Sequence, residues 1–206
     1  ALTATADEVT RRDIAGRLFG PDAKIFVQGF DRPNIQLAVT FKADWKQQTL
    51  DFVDKHQGES GIVYCLSRKK TDETAALLQA NGISALPYHA GMEKWQRDGN
   101  QDRFMREDGI VMVATIAFGM GIDKPDVRYV LHTDLPGSME AYYQEFGRAG
   151  RDGSPAQALM LYGLGDIRMR RQFIEQEGGG EDRRRQEHKR LDALLAYCEA
   201  PQCSRQ

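Results

Sequence analysis

The sequence predicts an α/β fold: a mainly parallel sheet with helices on both faces. Three observations carry this. Short apolar runs alternate with amphipathic stretches in a β-α-β-α order along most of the chain. The run 110–114 is continuously apolar, as a strand is when both its faces are covered. Clusters of polar residues follow these runs, as ligand-binding loops follow the carboxyl ends of parallel strands.

The elements follow in chain order. A polar helix is expected over 7–19 and a strand over 24–27, both outside the main alternating unit. Residues 62–65 read as a short buried strand. Residues 69–81 read as a helix, with Ala75, Leu77 and Leu78 on its apolar side and Asn81-Gly82 as its stop. A strand over 84–88 and a polar helix over 93–106 come next. The strands 110–114 and 127–131 precede a helix over 139–146, and 156–162 returns to a strand. Gly178-Gly179-Gly180 marks a flexible break before a charged helix over 181–199, which carries Leu191, Leu194 and Leu195 for docking. No internal repeat is evident.

With 206 residues the chain is long enough for one well-buried α/β domain plus appendages. Its 41% hydrophobic and 28% charged residues are an ordinary soluble composition. No apolar run approaches a membrane span, and the first residues lack a secretion signal. The chain begins at Ala1 without a Met, which suggests a fragment or a processed chain. Three cysteines, an odd number, point to a reducing compartment. A net charge of −2 argues against a bulk polycation but leaves room for a local phosphate-binding patch. The basic runs 68–70, 168–171 and 183–185 are of a kind more often found on solvated faces.

The densest group of candidate site residues lies in 142–153. Gln144, Arg148 and Arg151 stand at i, i+4 and i+7, one face of a helix, with Gly147 and Gly150 between them. Two guanidiniums separated by small residues suit a polyphosphate. The same spacing also fits a solvated helix end. Ser67-Arg68, His89, Thr115 and then Gly119, Gly121 and Asp123 follow predicted strands, so they should line one sheet edge. Taken singly, these are a helix cap, a packed histidine and an ordinary turn. No G-x-x-x-x-G-K-[ST] phosphate cradle occurs, nor an acidic cluster for Mg²⁺ at a strand end. An arginine pair without its own cradle suggests a domain that completes a site begun elsewhere.

Several segments resemble helicase motifs. Residues 1–7 (ALTATAD) are similar to motif III, and Phe30-Asp31-Arg32-Pro33-Asn34 resembles the entry to the second motor lobe of RecQ helicases. Residues 61–68 resemble motif IV, 88–92 (YHAGM) the next helicase loop, 113–125 motif V and 142–153 motif VI. The resemblance runs from Ala1 to about Cys203. Its most specific parts are Phe118-Gly119-Met120-Gly121 and 144–153.

That resemblance implies a RecA-like P-loop NTPase-type lobe with the beginning of a helical zinc-binding subdomain. The divisions it implies are 1–28 (end of a first lobe), 29–176 (second lobe) and 177–206 (start of the zinc-binding subdomain). It implies an ATP-dependent 3′→5′ DNA helicase of recombination, repair and the SOS response, monomeric, in the bacterial cytoplasm at the nucleoid. ATP and Mg²⁺ would be held mainly by the first lobe of the same polypeptide, and the partner would be single-stranded and partially duplex DNA. Arg151 would be the arginine finger, with Arg148 beside it at the γ-phosphate, and Gln144 would couple nucleotide state to the lobe interface. Asp123 would approach the ribose, with Gly121 allowing close passage. Ser67, Arg68, His89 and Thr115 would face the tracked strand. Cys203 would be the first of four Zn²⁺ ligands, whereas Cys198 and Cys65 match no ligand position. Two residues depart from the family pattern: Asp123 stands where many relatives have Asn, and Phe146 replaces a smaller residue. A non-catalytic DNA-binding or partner-docking module, and an RNA helicase lobe, are the alternatives.

Overall fold

A computed structural model describes residues 8–19, 24–25, 32–119, 122–176 and 180–200. The chain divides into two compact units, Ala1–Arg32 and Pro33–Gln206. In the first, α1 spans Glu8–Leu18. Lys24 and Ile25 belong to no regular element, and the rest of the strand expected over 24–27 lies outside the described residues, as does the motif III stretch 1–7.

The second unit is built on six parallel strands. In chain order they are β1 (Ile35–Phe41), β2 (Ser60–Tyr64), β3 (Ala85–Tyr88), β4 (Val111–Ala114), β5 (Val127–His132) and β6 (Ala156–Tyr162). Their order in the sheet is β1-β6-β5-β2-β4-β3, and every pairing is parallel. The helices are α2 (Trp45–Asp54), α3 (Arg68–Ala80), α4 (Lys94–Arg106), α5 (Met139–Phe146), α6 (Leu164–Gln176) and α7 (Glu181–Glu199).

Strand alternation divides the core between the two faces. Val63, Val111, Val113, Tyr129 and Leu131 pack with Phe52 and Val53 of α2 and Ala75 and Leu78 of α3. Ile62, Tyr64, Met112 and Val130 pack with Phe104 of α4, Tyr142 and Phe146 of α5, and Leu191, Leu194 and Leu195 of α7. The central strands are buried on both sides, which is why they read as continuous apolar runs. Phe146 meets Tyr142 and Tyr143 edge-on, with ring centroids 4.9 and 5.2 Å apart.

Three elements, β1, α2 and α6, stand where the patterning identified none. β1 is an edge strand with a mostly exposed outer face. α2 buries only Thr49, Phe52 and Val53, and α6 fully buries only Asp166. Such weakly apolar faces give little periodic signal.

One glycine in the core is fixed by close approach. A Cβ on Gly61 would overlap the ring of Tyr129, which is fully buried and boxed in by Phe52 and His56. Gly61→Ala is therefore expected to destabilise the fold by about 1–3 kcal/mol or more, as overpacking does. A lowered urea midpoint with unchanged slope is the readout, and an unaltered midpoint would refute it.

Candidate functional site

The carboxyl ends of β2, β4 and β3 lie side by side, and three loops leave from them. After β2, Ser67 caps α3 by accepting the Lys70 N–H at 3.2 Å. Arg68 is exposed, and its side chain lies against Gly91, where an added Cβ would come within 3.0 Å of it. After β3, His89 is buried. Its Nδ1 accepts the Gly91 N–H at 3.2 Å, so its Nε2–H donates to Asp72 at 3.0 Å. His89 thus ties this loop to α3. After β4, the Thr115 N–H donates to the Tyr88 carbonyl at 3.2 Å, and its hydroxyl accepts from Ala117 N–H at 3.4 Å.

Arg148 and Arg151 do not lie on one helical face with Gln144. α5 stops at Phe146, with Gly147 as its cap. The chain then turns, and Gly150 takes φ 57°, a left-handed conformation that favours glycine. The Gly150 N–H donates to the Val127 carbonyl at 2.8 Å and the Asp152 N–H to Pro125 at 3.3 Å. The turn therefore sits at the amino end of β5, at the opposite end of the sheet from the loops that carry Ser67, Arg68, His89 and Thr115. Gln144 is exposed on α5.

Motif V runs to meet this turn. Arg148 Nη1 donates to the Gly119 carbonyl at 2.5 Å, and Gly119 leaves no room for a Cβ beside the guanidinium. Arg148 Nε is buried without a hydrogen-bond partner among the described residues. Arg151 Nη1 donates to the Ile122 carbonyl at 2.9 Å and to Asp123 Oδ1 at 2.6 Å. Gly121, the expected close-passage glycine, lies outside the described residues.

Several supports of this turn carried no role in the sequence reading. Asn34 Nδ2 donates to the carbonyls of Gly150 and Ser154, at 2.8 and 2.9 Å. Arg128 donates to Asp152 at 2.6 Å and holds that carboxyl below its usual range. Beneath α5, His132 and Glu145 form a buried pair at 2.7 Å. His132 also stacks on Tyr64 at 5.2 Å, whose hydroxyl donates to the Phe118 carbonyl at 3.2 Å. Burial pushes the Tyr64 hydroxyl well up, against the opposing pull of Arg148.

A buried charge network occupies the carboxyl ends of β1, β5 and β6. Asp134 accepts from Lys70 Nζ at 2.6 Å, Lys42 Nζ at 3.0 Å, Leu66 N–H at 3.0 Å and the Thr133 hydroxyl at 3.1 Å. Asp166 accepts from Lys42 Nζ at 2.5 Å and Gly163 N–H at 2.8 Å. Burial alone would raise Asp134, but Lys70 and Lys42 outweigh it and bring its pKa down to about 2. Asp166 shares one ammonium only, and there burial prevails and raises the pKa. The sequence rule that flagged Thr115, a polar residue just past a strand, also fits Asp134.

Cys203 lies outside the described residues. Among those described, no group of three or more His, Cys, Asp or Glu could hold a metal. Cys198 packs against the core, and burial pushes its thiol up to about 12. Cys65 is a buried core thiol beside Thr74 and Thr133. No described helix is long and apolar enough to cross a membrane.

The family model described as helicase conserved C-terminal domain matches residues 45–153, and the RecQ zinc-binding model matches 164–206. The chain is 44% identical over 205 residues to the ATP-dependent DNA helicase RecQ of Pasteurella multocida, covering 100% of this chain and 32% of that protein. It is equally 44% identical to the RecQ-like DNA helicase BLM of Xenopus laevis, over 97% of this chain and 15% of that protein. The chain thus spans about a third or less of the length of these curated relatives. Among solved structures, S. cerevisiae Dbp5 bound to RNA and ADP BeF3 is similar with a TM-score of 0.66 at 19% identity, over 94% of this chain and 54% of that one. At that identity the likeness concerns the fold alone. E. coli DEAD-box protein SrmB has a TM-score of 0.55 at 26% identity, covering 64% of this chain and 78% of that one.

Proposed function

Because this chain belongs to the RecQ branch of the helicase conserved C-terminal domain family, we propose that it supplies the second motor lobe of an ATP-dependent 3′→5′ DNA helicase acting in recombination and repair. Residues 1–28 then end a first lobe, 29–176 form the second, and 177–206 open the zinc-binding subdomain. The observation that carries this reading is the meeting of Arg148 and Arg151 with the loop at Gly119 and Asp123.

In this reading ATP and Mg²⁺ are held mainly by a P-loop lobe elsewhere in the polypeptide. Arg151 crosses the cleft and stabilises charge on the transferring phosphoryl, with Arg148 beside it. Its contact with Asp123 is no obstacle. Asp123 is 83% exposed, and exposed ion pairs contribute only about 0–1 kcal/mol, so exchange of that carboxylate for a triphosphate costs little. Asp123 is then free to approach the ribose, and Gln144 reports closure across the lobe interface. Ser67, Arg68, His89 and Thr115 face the tracked strand on the carboxyl edge, with His89 shaping its loop and Arg68 supplying charge. Opening and closing of the lobes moves the DNA grip relative to the partner lobe's grip. The RecQ zinc-binding match supports a structural Zn²⁺ whose ligands would include Cys203. The reading takes the protein as a monomer of the bacterial cytoplasm; the relatives of similar identity are bacterial and eukaryotic alike.

The test compares the 206-residue chain with the full polypeptide containing it. The chain alone is expected to hydrolyse no ATP with or without single-stranded DNA, and the full protein to show DNA-stimulated hydrolysis and unwinding. DNA-stimulated turnover by the chain alone, or none by the full protein, would overturn the reading.

A further inference from the structure

Two large apolar side chains stand in solvent where the DNA-facing loops leave the sheet: Trp95, 72% exposed, and Ile116, 77% exposed. Local structure puts each there. α4 returns along β3, with Asn100 donating to the Pro87 carbonyl at 2.8 Å, so its first turn, which holds Trp95, lies at the carboxyl end of that strand. Ile116 follows Thr115, which is bonded to Tyr88 at the end of β3. Alongside, the Arg68 side chain reaches from the end of β2 to Gly91 and has no hydrogen-bond or ion-pair partner among the described residues. Of its neighbours, Lys94 pairs with Asp98 at 2.7 Å and Asp72 with His89 at 3.0 Å, whereas Arg97 Nε is buried without a hydrogen-bond partner among the described residues.

We propose that Trp95 and Ile116 form a base-stacking platform for single-stranded DNA, with Arg68 holding a phosphate beside them. The proposal rests on the strand-tracking reading above and adds that the lobe grips bases as well as backbone. A guanidinium on the same sheet edge as two exposed apolar side chains suits the alternation of phosphate and base along an unpaired strand, and a duplex hides the base faces this platform needs. Stacking adds affinity that salt does not screen, on top of phosphate contacts whose log–log slope is about −0.7 for each phosphate held.

The probes are oligothymidylate and an abasic oligonucleotide of equal length, titrated into the 206-residue chain while tryptophan emission is followed. A Trp45→Phe background leaves Trp95 as the reporter. Oligothymidylate is expected to quench Trp95 and to bind about 10-fold tighter than the abasic strand. Trp95→Ala, followed by anisotropy of labelled strands, removes that advantage and leaves abasic binding unchanged. Trp95→Phe restores most of it, and Arg68→Ala weakens both strands. Equal affinity for the two strands with a neutral Trp95→Ala would overturn the platform while leaving the phosphate reading standing. Failure of both strands to bind would overturn the platform and the strand-tracking reading together. Unchanged circular dichroism in the variants separates these results from misfolding.

Discussion

Arg151→Ala in the intact helicase is expected to lower the rate of DNA-stimulated ATP hydrolysis by about 10³- to 10⁵-fold, the range associated with an arginine finger, while single-strand affinity stays near normal. The separation follows from the fold. Arg151 sits on the turn at the amino end of β5, which Asn34 and the Arg128–Asp152 pair hold away from the loops that carry Ser67, Arg68, His89 and Thr115. Removing its side chain takes away bonds to the Ile122 carbonyl and to an exposed carboxylate, so the fold should lose little. Arg151→Lys should recover only part of the activity, because an ammonium is a point charge without the planar fork. The measurements are the steady-state turnover number for ATP and the anisotropy of a labelled single strand. Full ATPase activity in the alanine variant would remove the assignment of Arg151.

The largest expected loss of stability comes from Asp134→Ala. This carboxylate is shared by two ammonium groups that are themselves largely buried. Its removal leaves Lys70 with the Thr133 carbonyl at 3.2 Å and the face of the Trp45 ring and strips the acceptor from the Leu66 N–H. Breaking a buried pair in this way costs about 3–5 kcal/mol, which urea denaturation would register. The acid limb gives a second check. The folded-state pKa of Asp134, about 2, lies below its ordinary value of 3.8. Its contribution is therefore fully present above about pH 4 and is lost as pH falls through about 2. The parent should lose about 2 kcal/mol more across that window than an Asp134→Asn variant. Asp166 moves the opposite way, so Asp166→Asn should not reproduce the effect. Equal acid sensitivity of parent and Asp134→Asn would exclude Asp134 as the anchor of this network.

The sheet was legible because its central strands are buried on both faces. Residues 62–65, 110–114, 127–131 and 156–162 each correspond to a strand of the structure, and 69–81, 93–106, 139–146 and 181–199 to helices. β1, α2 and α6 were not, because an edge strand and half-wet helices bury too few side chains to impose a period. Extending helical spacing through Gly147 failed for a local reason: Gly150 takes a left-handed conformation that ends regular winding. The candidate site was legible as a set of residue types after strands, but not as a geometry. Sequence spacing carries no record that Arg148 turns into the Gly119 carbonyl or that Arg151 clasps Asp123. The pairs Lys42–Asp134 and His132–Glu145 join residues distant in the chain or on different elements, so only the folded topology brings them together.

The contact between α5 and α7 has a mechanical consequence. Tyr142 of α5 lies 5.8 Å from Tyr197 of α7, ring centre to ring centre, and Leu191 and Leu194 fill the same core. The last described helix is thus a buttress behind the arginine turn. Strain applied to that turn passes into a second rod as well as into the sheet, and loosening the rod would soften the turn without altering Arg148 or Arg151 themselves.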